Sequence, residues 1–197
     1  MEPATIPVLV AAYLVGSIDF GVIVPRLRGI DIYAVGSGNP GTSNVLRTMG
    51  KGAAAVVMLG DVAKGFVAAM VGDLVVGEAV GFAAGLVAVA GHCFPVWHRF
   101  KGGKGVATAG GAVYWLEPLL GLALMAVWAG LVGATKRASI ASIALAVLLV
   151  PGVVLFGHRD WSVVWAAGIA GLVLARHHGN IRRLVRGSEH TVGGATA

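Results

Sequence analysis

A glycine-rich polar stretch of the sequence has the composition of a binding site for an oxyanion. It reads Gly-Ser-Gly-Asn-Pro-Gly-Thr-Ser-Asn, contains no carboxylate, and is followed three positions later by an arginine. Glycine lets successive backbone N–H groups turn towards one anion, and hydroxyl and amide side chains add further donors. We predict that substrate is bound here by Gly36, Ser37, Gly38, Asn39, Gly41, Thr42, Ser43, Asn44 and Arg47. The alternative is an ordinary polar loop rich in turn-forming residues.

The end of this stretch also predicts a short helix. Thr42, Ser43 or Asn44 is expected to cap its first turn, and Asn44 and Arg47 would then share one face. The glycine spacing matches G-x-G-x-x-G, but no apolar strand precedes it and no β-α-β unit follows. We therefore exclude a dinucleotide-binding fold.

A second glycine-rich segment, Phe100 to Thr108, opens an apolar helix and carries two lysines. Free N–H groups, the positive end of the helix dipole and two ammonium groups together suit a phosphate. A histidine lies shortly before this segment, in the sequence Gly-His-Cys-Phe-Pro. We predict substrate contacts from His92, Lys101, Gly102, Gly103 and Lys104. The alternative is that the basic residues here serve only as topology signals.

The third cluster lies after the last apolar segment, where His177 and Asn180 are three residues apart. On a continuing helix they would face the same way, and a histidine there suits a phosphate donor or a proton shuttle. The alternative is an interfacial histidine at a polar helix end.

Four polar residues inside apolar segments are also spaced three apart, in two pairs. Asp61 and Lys64 are expected to form an ion pair, because unpaired charge is costly inside a membrane. Ser139 and Ser142 either line a cytoplasmic cavity or pack helices together. The ion pair is either structural, which we favour for Asp61, or in contact with substrate. The predicted substrate contacts include Lys64 and Ser142. No spacing of His, Cys and carboxylates indicates a metal, and we expect no cofactor.

The composition indicates a membrane protein. Of 197 residues, 57% are hydrophobic and 12% are charged, with a mean hydropathy of +0.84. Soluble domains carry about twice that charge fraction. The single cysteine, Cys93, excludes an internal disulfide, and we expect no nucleic-acid partner despite a net charge of +6.

The apolar runs between charges predict an all-α polytopic bundle of seven transmembrane helices. The shortest of them, the fourth, meets the fifth at Glu117-Pro118, which is either a tight hairpin or a kink within one long tilted helix. The placement of charge favours the hairpin. We expect one membrane domain over 1–189 and a disordered tail over 190–197. The predicted spans are Ile6–Pro25, Ala53–Val71, Ala79–Val96, Val106–Leu116, Pro118–Ala134, Ser139–Phe156 and Trp161–Ala175.

The distribution of basic residues predicts the orientation of this bundle. With seven spans, thirteen of the fifteen Lys and Arg residues fall on one side, and Arg159 stands alone on the other. The bias of basic residues towards the cytoplasm therefore places the N-terminus outside and the C-terminus inside.

The three clusters together resemble the acyl-phosphate:glycerol-3-phosphate acyltransferases of bacterial inner membranes, the PlsY family, over nearly the whole chain. The first motif of that family resembles Gly36 to Asn44 with Arg47, and the second resembles Gly91 to Thr108. The third resembles His177 with the residues up to Glu189. Asp61 and Lys64-Gly65 also stand where the family has an Asp and a Lys-Gly. In this chain Thr42-Ser43 replaces the usual Ala-Thr, and Asp19 stands where Pro is frequent.

The resemblance implies transfer of a fatty acyl group from acyl phosphate to the 1-hydroxyl of glycerol 3-phosphate. The products would be lysophosphatidic acid and phosphate, in the first acylation of phospholipid biosynthesis. The partners would be those two substrates and membrane lipids, the site would face the cytoplasm, and the enzyme would work as a monomer. The resemblance also implies a structural role for Glu189. The expected catalytic residues are Ser37, Arg47, Lys104, His177 and Asn180.

We predict direct attack without an acyl-enzyme, because the sequence contains no convincing Ser-His-Asp or Cys-His set. Either His177 or a substrate phosphate oxygen would take the hydroxyl proton. The main alternative function is a phosphate or organophosphate transporter, whose sites should lie near the membrane midplane.

Overall fold

The computed structural model describes residues 2–192, and the regular secondary structure in that range is entirely helical. A short 3₁₀ helix, Val96–His98, follows the fifth helix. The α-helices are α1 Thr5–Gly16, α2 Phe20–Arg26, α3 Thr42–Met49, α4 Lys51–Val75, α5 Glu78–Cys93, α6 Val106–Leu116, α7 Pro118–Thr135, α8 Ala138–Leu155, α9 Trp161–Arg176 and α10 His178–Val185.

All seven predicted apolar segments are helical, but they differ in length. Five segments in the described range are long and apolar enough to cross a membrane: Thr5–Arg26, Lys51–Val75, Glu78–His98, Pro118–Thr135 and Ala138–Leu155. The other two, α6 and α9, have 11 and 16 residues. The first segment is interrupted, because α1 ends at Gly16 and α2 begins at Phe20.

The chain reverses direction between α6 and α7, as the Glu117-Pro118 sequence predicts. Glu117 is the cap residue shared by both helices, and Pro118 occupies the first position of α7. Proline suits that position because its missing N–H would have no partner within the helix. After the turn, Gly121 packs against Tyr114. The two helices are therefore a hairpin and not one kinked helix.

Helices α4, α5 and α6 contact one another at the centre of the bundle, and α1 packs on α4 and α5. From α6 the contacts continue through α7, α8 and α9 and return to α5. The predicted tail begins within the described range, where the Val192 N–H donates to the Lys136 carbonyl at 2.7 Å. Residues 193–197 lie outside the described range.

Glycines bring the central helices into backbone contact. A Cβ at Gly65 of α4 would overlap the Thr108 carbonyl of α6, and a Cβ at Gly111 would overlap the Val62 carbonyl of α4. Between α1 and α5, Gly16 lies against Ala88 and Gly91 against Tyr13 in the same way. Small residues at helix contacts stabilise association in lipid through close packing. This packing fixes the helix ends that carry the polar loops.

We expect Gly65→Ala to destabilise the protein by about 1–3 kcal/mol, because the new methyl group must push α4 and α6 apart. Thermal unfolding in detergent measures the effect as a lower Tm. The matched control is Gly52→Ala in the same helix, where a Cβ would meet no atom within 4 Å. That variant should be as stable as the wild type or slightly more stable. Equal Tm values for the two variants would contradict the proposed backbone contact.

Candidate active site

The structure brings the three predicted polar clusters together at one end of the bundle. The Tyr33 hydroxyl donates to the Lys101 carbonyl at 2.5 Å, which ties the first loop to the second. The Arg176 guanidinium donates to the carbonyls of Gly102 at 2.8 Å and Gly103 at 3.1 Å, which ties the end of α9 to the second loop. Three segments that are far apart in sequence therefore surround one site.

In the first cluster, Asn44 holds the glycine loop in shape. Its side-chain oxygen accepts from the Ser37 N–H at 2.9 Å, and its amide nitrogen donates to the Val35 carbonyl at 3.1 Å. Gly36 lies directly against this amide, with a positive φ of 58°. Asn44 is buried. Its amide supports the loop that presents Ser37, although one edge of the residue also faces a cavity.

The predicted short helix is present as α3, but its predicted cap is wrong. The N-cap residue is Gly41, and no side chain caps the first turn. Thr42 and Ser43 are already inside the helix, which leaves their side chains free of a capping role. Asn44 and Arg47 do share a face, since one Arg47 nitrogen lies 3.5 Å from the Asn44 oxygen and 3.2 Å from the Ser37 hydroxyl.

The second cluster is a loop over residues 101–105, which packs on His92. The Gly103 N–H donates to the His92 carbonyl at 3.1 Å, and a Cβ at Gly103 would overlap the imidazole. Glycine is required there because only a bare backbone can approach the ring so closely. Gly105, with a φ of 82°, is the N-cap of α6.

Behind this loop, the predicted ion pair between Asp61 and Lys64 is confirmed, with 2.7 Å between the Asp61 Oδ1 and the Lys64 Nζ. The ammonium also donates to the Ile18 carbonyl at 2.8 Å and lies 2.8 Å from the His92 Nδ1. Three acceptors thus surround the three protons of Lys64. Lys64 lines neither cavity described below. It contacts two residues that line the groove, Asp61 and His92.

Asp19 lies at the break between α1 and α2 and is completely buried. Neither of its carboxylate oxygens has a hydrogen-bond partner within the described residues. A buried polar group without a partner is costly.

In the third cluster, a helix break separates His177 from Asn180. Helix α9 ends at Arg176, and α10 begins at His178. The Asn180 amide donates to one Glu189 oxygen at 2.6 Å, and the Arg183 Nε donates to the other at 2.8 Å. Burial raises the pKa of Glu189, but these hydrogen bonds and the charge of Arg183 outweigh it and lower that pKa overall. Glu189 therefore remains an anion that fixes both side chains.

His177 has a defined tautomer. Its Nδ1 lies 2.7 Å from the Val173 carbonyl, which only accepts, so Nδ1 carries the proton and Nε2 is a free acceptor. Burial lowers the pKa of His177 to about 4. The ring is therefore neutral at neutral pH and is a weak base.

A polar cavity of about 390 Å³ lies between the three clusters. Its lining contains four cationic residues and no carboxylate among the described residues. Such a lining suits a phosphate dianion. The lining residues are Tyr33, Ser37, Gly38, Asn39, Pro40, Phe100, Lys101, Gly102, Lys104, Arg176, His178, Gly179, Asn180 and Arg183.

A second cavity, an apolar groove of about 490 Å³, continues from the first between α6, α7 and α8. Its lining includes the buried Leu149 and the half-buried Leu145, and along its side Met58, Tyr114 and Met125 are exposed. The groove is therefore open laterally. The residues shared by the two cavities are Ser37, Asn39, Lys104, Asn180 and Arg183.

Lys104 lies where the two cavities join, and its charge is strongly perturbed. Burial, together with the guanidinium groups of Arg183, Arg47 and Arg176, lowers the pKa of Lys104 to about 8, against the attraction of Glu189. Cations are thus crowded together with little compensating charge. An anionic ligand would relieve this repulsion.

Most of the predicted site residues line these cavities. The predicted residues that reach the groove, besides those shared by both cavities, are Gly41, Thr42, Ser43, Asn44, Arg47, His92, Ser142 and His177. Lys101, Gly102 and Gly38 line the polar cavity only. Gly36, Gly103 and Lys64 line neither and support the loops from behind.

Tyr33, Arg176, His178 and Arg183 line the polar cavity but are absent from the predicted contact set. The sequence partly indicates a role for Arg176 in the site, because this residue directly precedes His177 at the end of an apolar segment. A basic residue at that place is also an ordinary topology signal, so the sequence alone does not distinguish the two roles.

The long apolar helices are those of an integral membrane protein, and they carry a cationic cavity joined to an apolar groove. The sequence model of the family described as glycerol-3-phosphate acyltransferase matches residues 6–187. The chain therefore belongs to the glycerol-3-phosphate acyltransferase family, and it is an acyltransferase of the PlsY type.

Its relatives extend over nearly the whole chain. A glycerol-3-phosphate acyltransferase from Thioalkalivibrio sulfidiphilus is 42% identical over 95% of this chain and 94% of its own. One from Rubrobacter xylanophilus is 42% identical over 92% of each chain.

Two crystal structures of PlsY, an integral membrane glycerol 3-phosphate acyltransferase, share this fold. They are a glycerol 3-phosphate form, with a TM-score of 0.92, and a lysophosphatidic acid form, with a TM-score of 0.90. Both are 37% identical to this chain and cover 95% of each chain.

We expect Arg176→Lys to lower kcat/KM for glycerol 3-phosphate by about tenfold or more. Lysine keeps the charge, but it lacks the planar guanidinium that donates to two carbonyls at once. The loop over 101–105 should therefore lose its position. Steady-state kinetics in detergent measures the loss. The matched control is Arg182→Lys, at an exposed arginine of α10 whose side chain makes no hydrogen bond in the described structure. An unchanged kcat/KM in Arg176→Lys would show that the two hydrogen bonds of the guanidinium do not position the loop.

Proposed function

We propose that the protein transfers a fatty acyl group from acyl phosphate to the 1-hydroxyl of glycerol 3-phosphate, giving lysophosphatidic acid and phosphate. The observation that carries this proposal is the junction of a cationic cavity with an apolar groove at Ser37, Asn39, Lys104, Asn180 and Arg183. A lipid-tailed donor and a small phosphorylated acceptor need this combination. Soluble acyl carriers are not required, because the groove itself opens to the side.

The polar cavity is the place proposed for glycerol 3-phosphate. Lys101, Arg176 and Arg183 lie in its lining, together with glycine backbone. The acyl chain of the donor would lie in the groove beside Leu145 and Leu149. Its phosphate would then meet Ser37 and Arg47, which lie 3.2 Å apart.

In the proposed reaction, the hydroxyl oxygen attacks the acyl carbonyl carbon, and the bond from that carbon to the phosphate oxygen breaks. The donor is already activated by a good leaving group, so positioning and charge stabilisation account for most of the catalysis. Lys104, at the junction, is placed to neutralise the departing phosphate. No covalent acyl-enzyme is required.

We propose that a substrate phosphate oxygen takes the hydroxyl proton. A phosphate monoester has a second pKa of about 6, whereas the pKa of His177 is about 4. The phosphate is therefore the stronger base. The free Nε2 of His177 would accept a hydrogen bond from the hydroxyl and orient it, and Asn180 would support the same region.

We also propose seven membrane crossings over one domain, 1–189, with the site at the cytoplasmic side of a bacterial inner membrane. Helices α5, α6, α8 and α9 all have one end at the site, and Arg159 is a lone basic residue at their other ends. The excess of basic residues around the site supports the cytoplasmic assignment. The protein would act as a monomer, since both cavities are formed within one chain.

We expect the purified protein in detergent to convert acyl phosphate and glycerol 3-phosphate to lysophosphatidic acid and phosphate in equal amounts, and to be inactive with acyl-CoA. Mass spectrometry and a phosphate-release assay measure both products. Arg47→Ala should lose most activity while remaining folded. Transport of glycerol 3-phosphate into liposomes without turnover in detergent would contradict the proposal and favour a transporter.

We expect kcat/KM for glycerol 3-phosphate to fall as the pH rises through about 8, because Lys104 is a cation below its pKa and neutral above it. A pH profile of initial rates measures this limb. In Lys104→Arg the decrease should disappear, since a guanidinium stays protonated at these pH values. The control is Lys136→Arg, at a lysine outside both cavities, which should keep the wild-type profile. A profile unchanged in Lys104→Arg would assign the alkaline limb to another group.

A further inference from the structure

Three side chains converge at the end of the bundle opposite to the candidate active site. Glu78 begins α5, Glu117 lies at the turn between α6 and α7, and His158 lies in the loop between α8 and α9. One donor atom from each lies within 4.8 Å of the other two. Helix α5 has 16 residues, so the cluster is about 24 Å from the active-site end.

The imidazole of His158 is the centre of this cluster. Its Nε2 lies 2.7 Å from the Glu117 Oε1, and its Nδ1 lies 3.9 Å from the Glu78 Oε2, which is too far for a hydrogen bond. The buried Phe82 packs against the ring with its centroid at 5.4 Å. The Glu78 side chain is 51% exposed. The ring and Glu117 are therefore held in place, whereas Glu78 is free to turn towards a ligand.

The two carboxylates of this cluster lack a permanent cation. Arg159 directly follows His158, but its guanidinium donates to the carbonyls of Val154 at 2.5 Å and His158 at 2.7 Å. Within the described residues it forms no ion pair with either glutamate. Two carboxylate groups and one imidazole thus converge without a cationic side chain between them in the described structure. An ion bound here would take the place of the hydrogen bond between His158 and Glu117.

We propose that Glu78, Glu117 and His158 bind a divalent transition metal, with Zn²⁺ as the best match. One imidazole nitrogen and two carboxylate oxygens are ligands that Zn²⁺ prefers, and water would complete the tetrahedron. A bound ion would join the start of α5, the α6–α7 turn and the α8–α9 loop. The site stabilises the bundle and takes no part in acyl transfer, because it lies at the far end.

The test measures Zn²⁺ binding to the full chain in detergent after treatment with a chelator. We expect one tightly bound Zn²⁺ per chain by elemental analysis. We also expect Tm to rise by about 5–10 °C at a free Zn²⁺ concentration 100 times Kd. Glu78→Gln should weaken Kd by about tenfold or more. It removes a ligand without removing a hydrogen bond, so the variant should fold normally.

His158→Ala should abolish both the bound ion and the Tm shift, and the matched control, His98→Ala, should retain both. Wild-type acyl transfer should be the same with and without Zn²⁺. The proposal is overturned if Zn²⁺ leaves the Tm of the wild type unchanged, which would make His158 and Glu117 a hydrogen-bonded pair only. It is equally overturned if Glu78→Gln and His158→Ala bind Zn²⁺ as tightly as the wild type, because the ion would then lie elsewhere.

Discussion

Repulsion between cations is the constraint on which the candidate active site depends. Lys104, Arg176 and Arg183 line one cavity without a carboxylate among its described lining residues, and burial, together with the neighbouring guanidinium groups, lowers the pKa of Lys104. Glu189 offsets part of this charge from outside that lining, through Arg183. The free protein therefore holds an excess of positive charge, and an anionic ligand lowers the free energy of this arrangement most when it carries two charges.

Such crowding persists only if the backbone around it is held firmly. Main-chain carbonyls provide much of that support, since Arg176 donates to Gly102 and Gly103, and Tyr33 donates to Lys101. The helices beneath the loops approach each other through glycine, so the loops rest on a closely packed base. Because the loops cannot move apart to relieve the repulsion between their cations, a bound anion relieves it, and this favours binding.

The sequence predicts the three clusters because each carries its own composition, and it predicts the helical segments because charge interrupts long apolar runs. It does not predict contacts that join distant segments through the main chain. Arg176 and Tyr33 bind carbonyls, and every residue offers a carbonyl, so no residue pattern marks the partner. The predicted cap of α3 is also wrong. Gly41 takes that position, and the hydroxyl side chains that follow it lie inside the helix.

Lys64 shows how far a correct local prediction reaches. Its pairing with Asp61 follows from their spacing, and the structure confirms it. Its contact with substrate stays a prediction, because helical spacing does not tell how deeply the side chain lies, and Lys64 lines neither cavity. Its ammonium instead completes its bonding with His92 and the Ile18 carbonyl, behind the glycine loop. The residue supports the site through the ring on which Gly103 rests.

The open side of the apolar groove determines where the two substrates would come from. A chain held beside Met125 can enter and leave within the hydrocarbon layer, while the polar cavity exchanges with water. The rate would then depend on the surface density of one substrate and the bulk concentration of the other. Diluting the membrane with inert lipid would slow such a catalyst even at constant total donor, as in reactions confined to two dimensions.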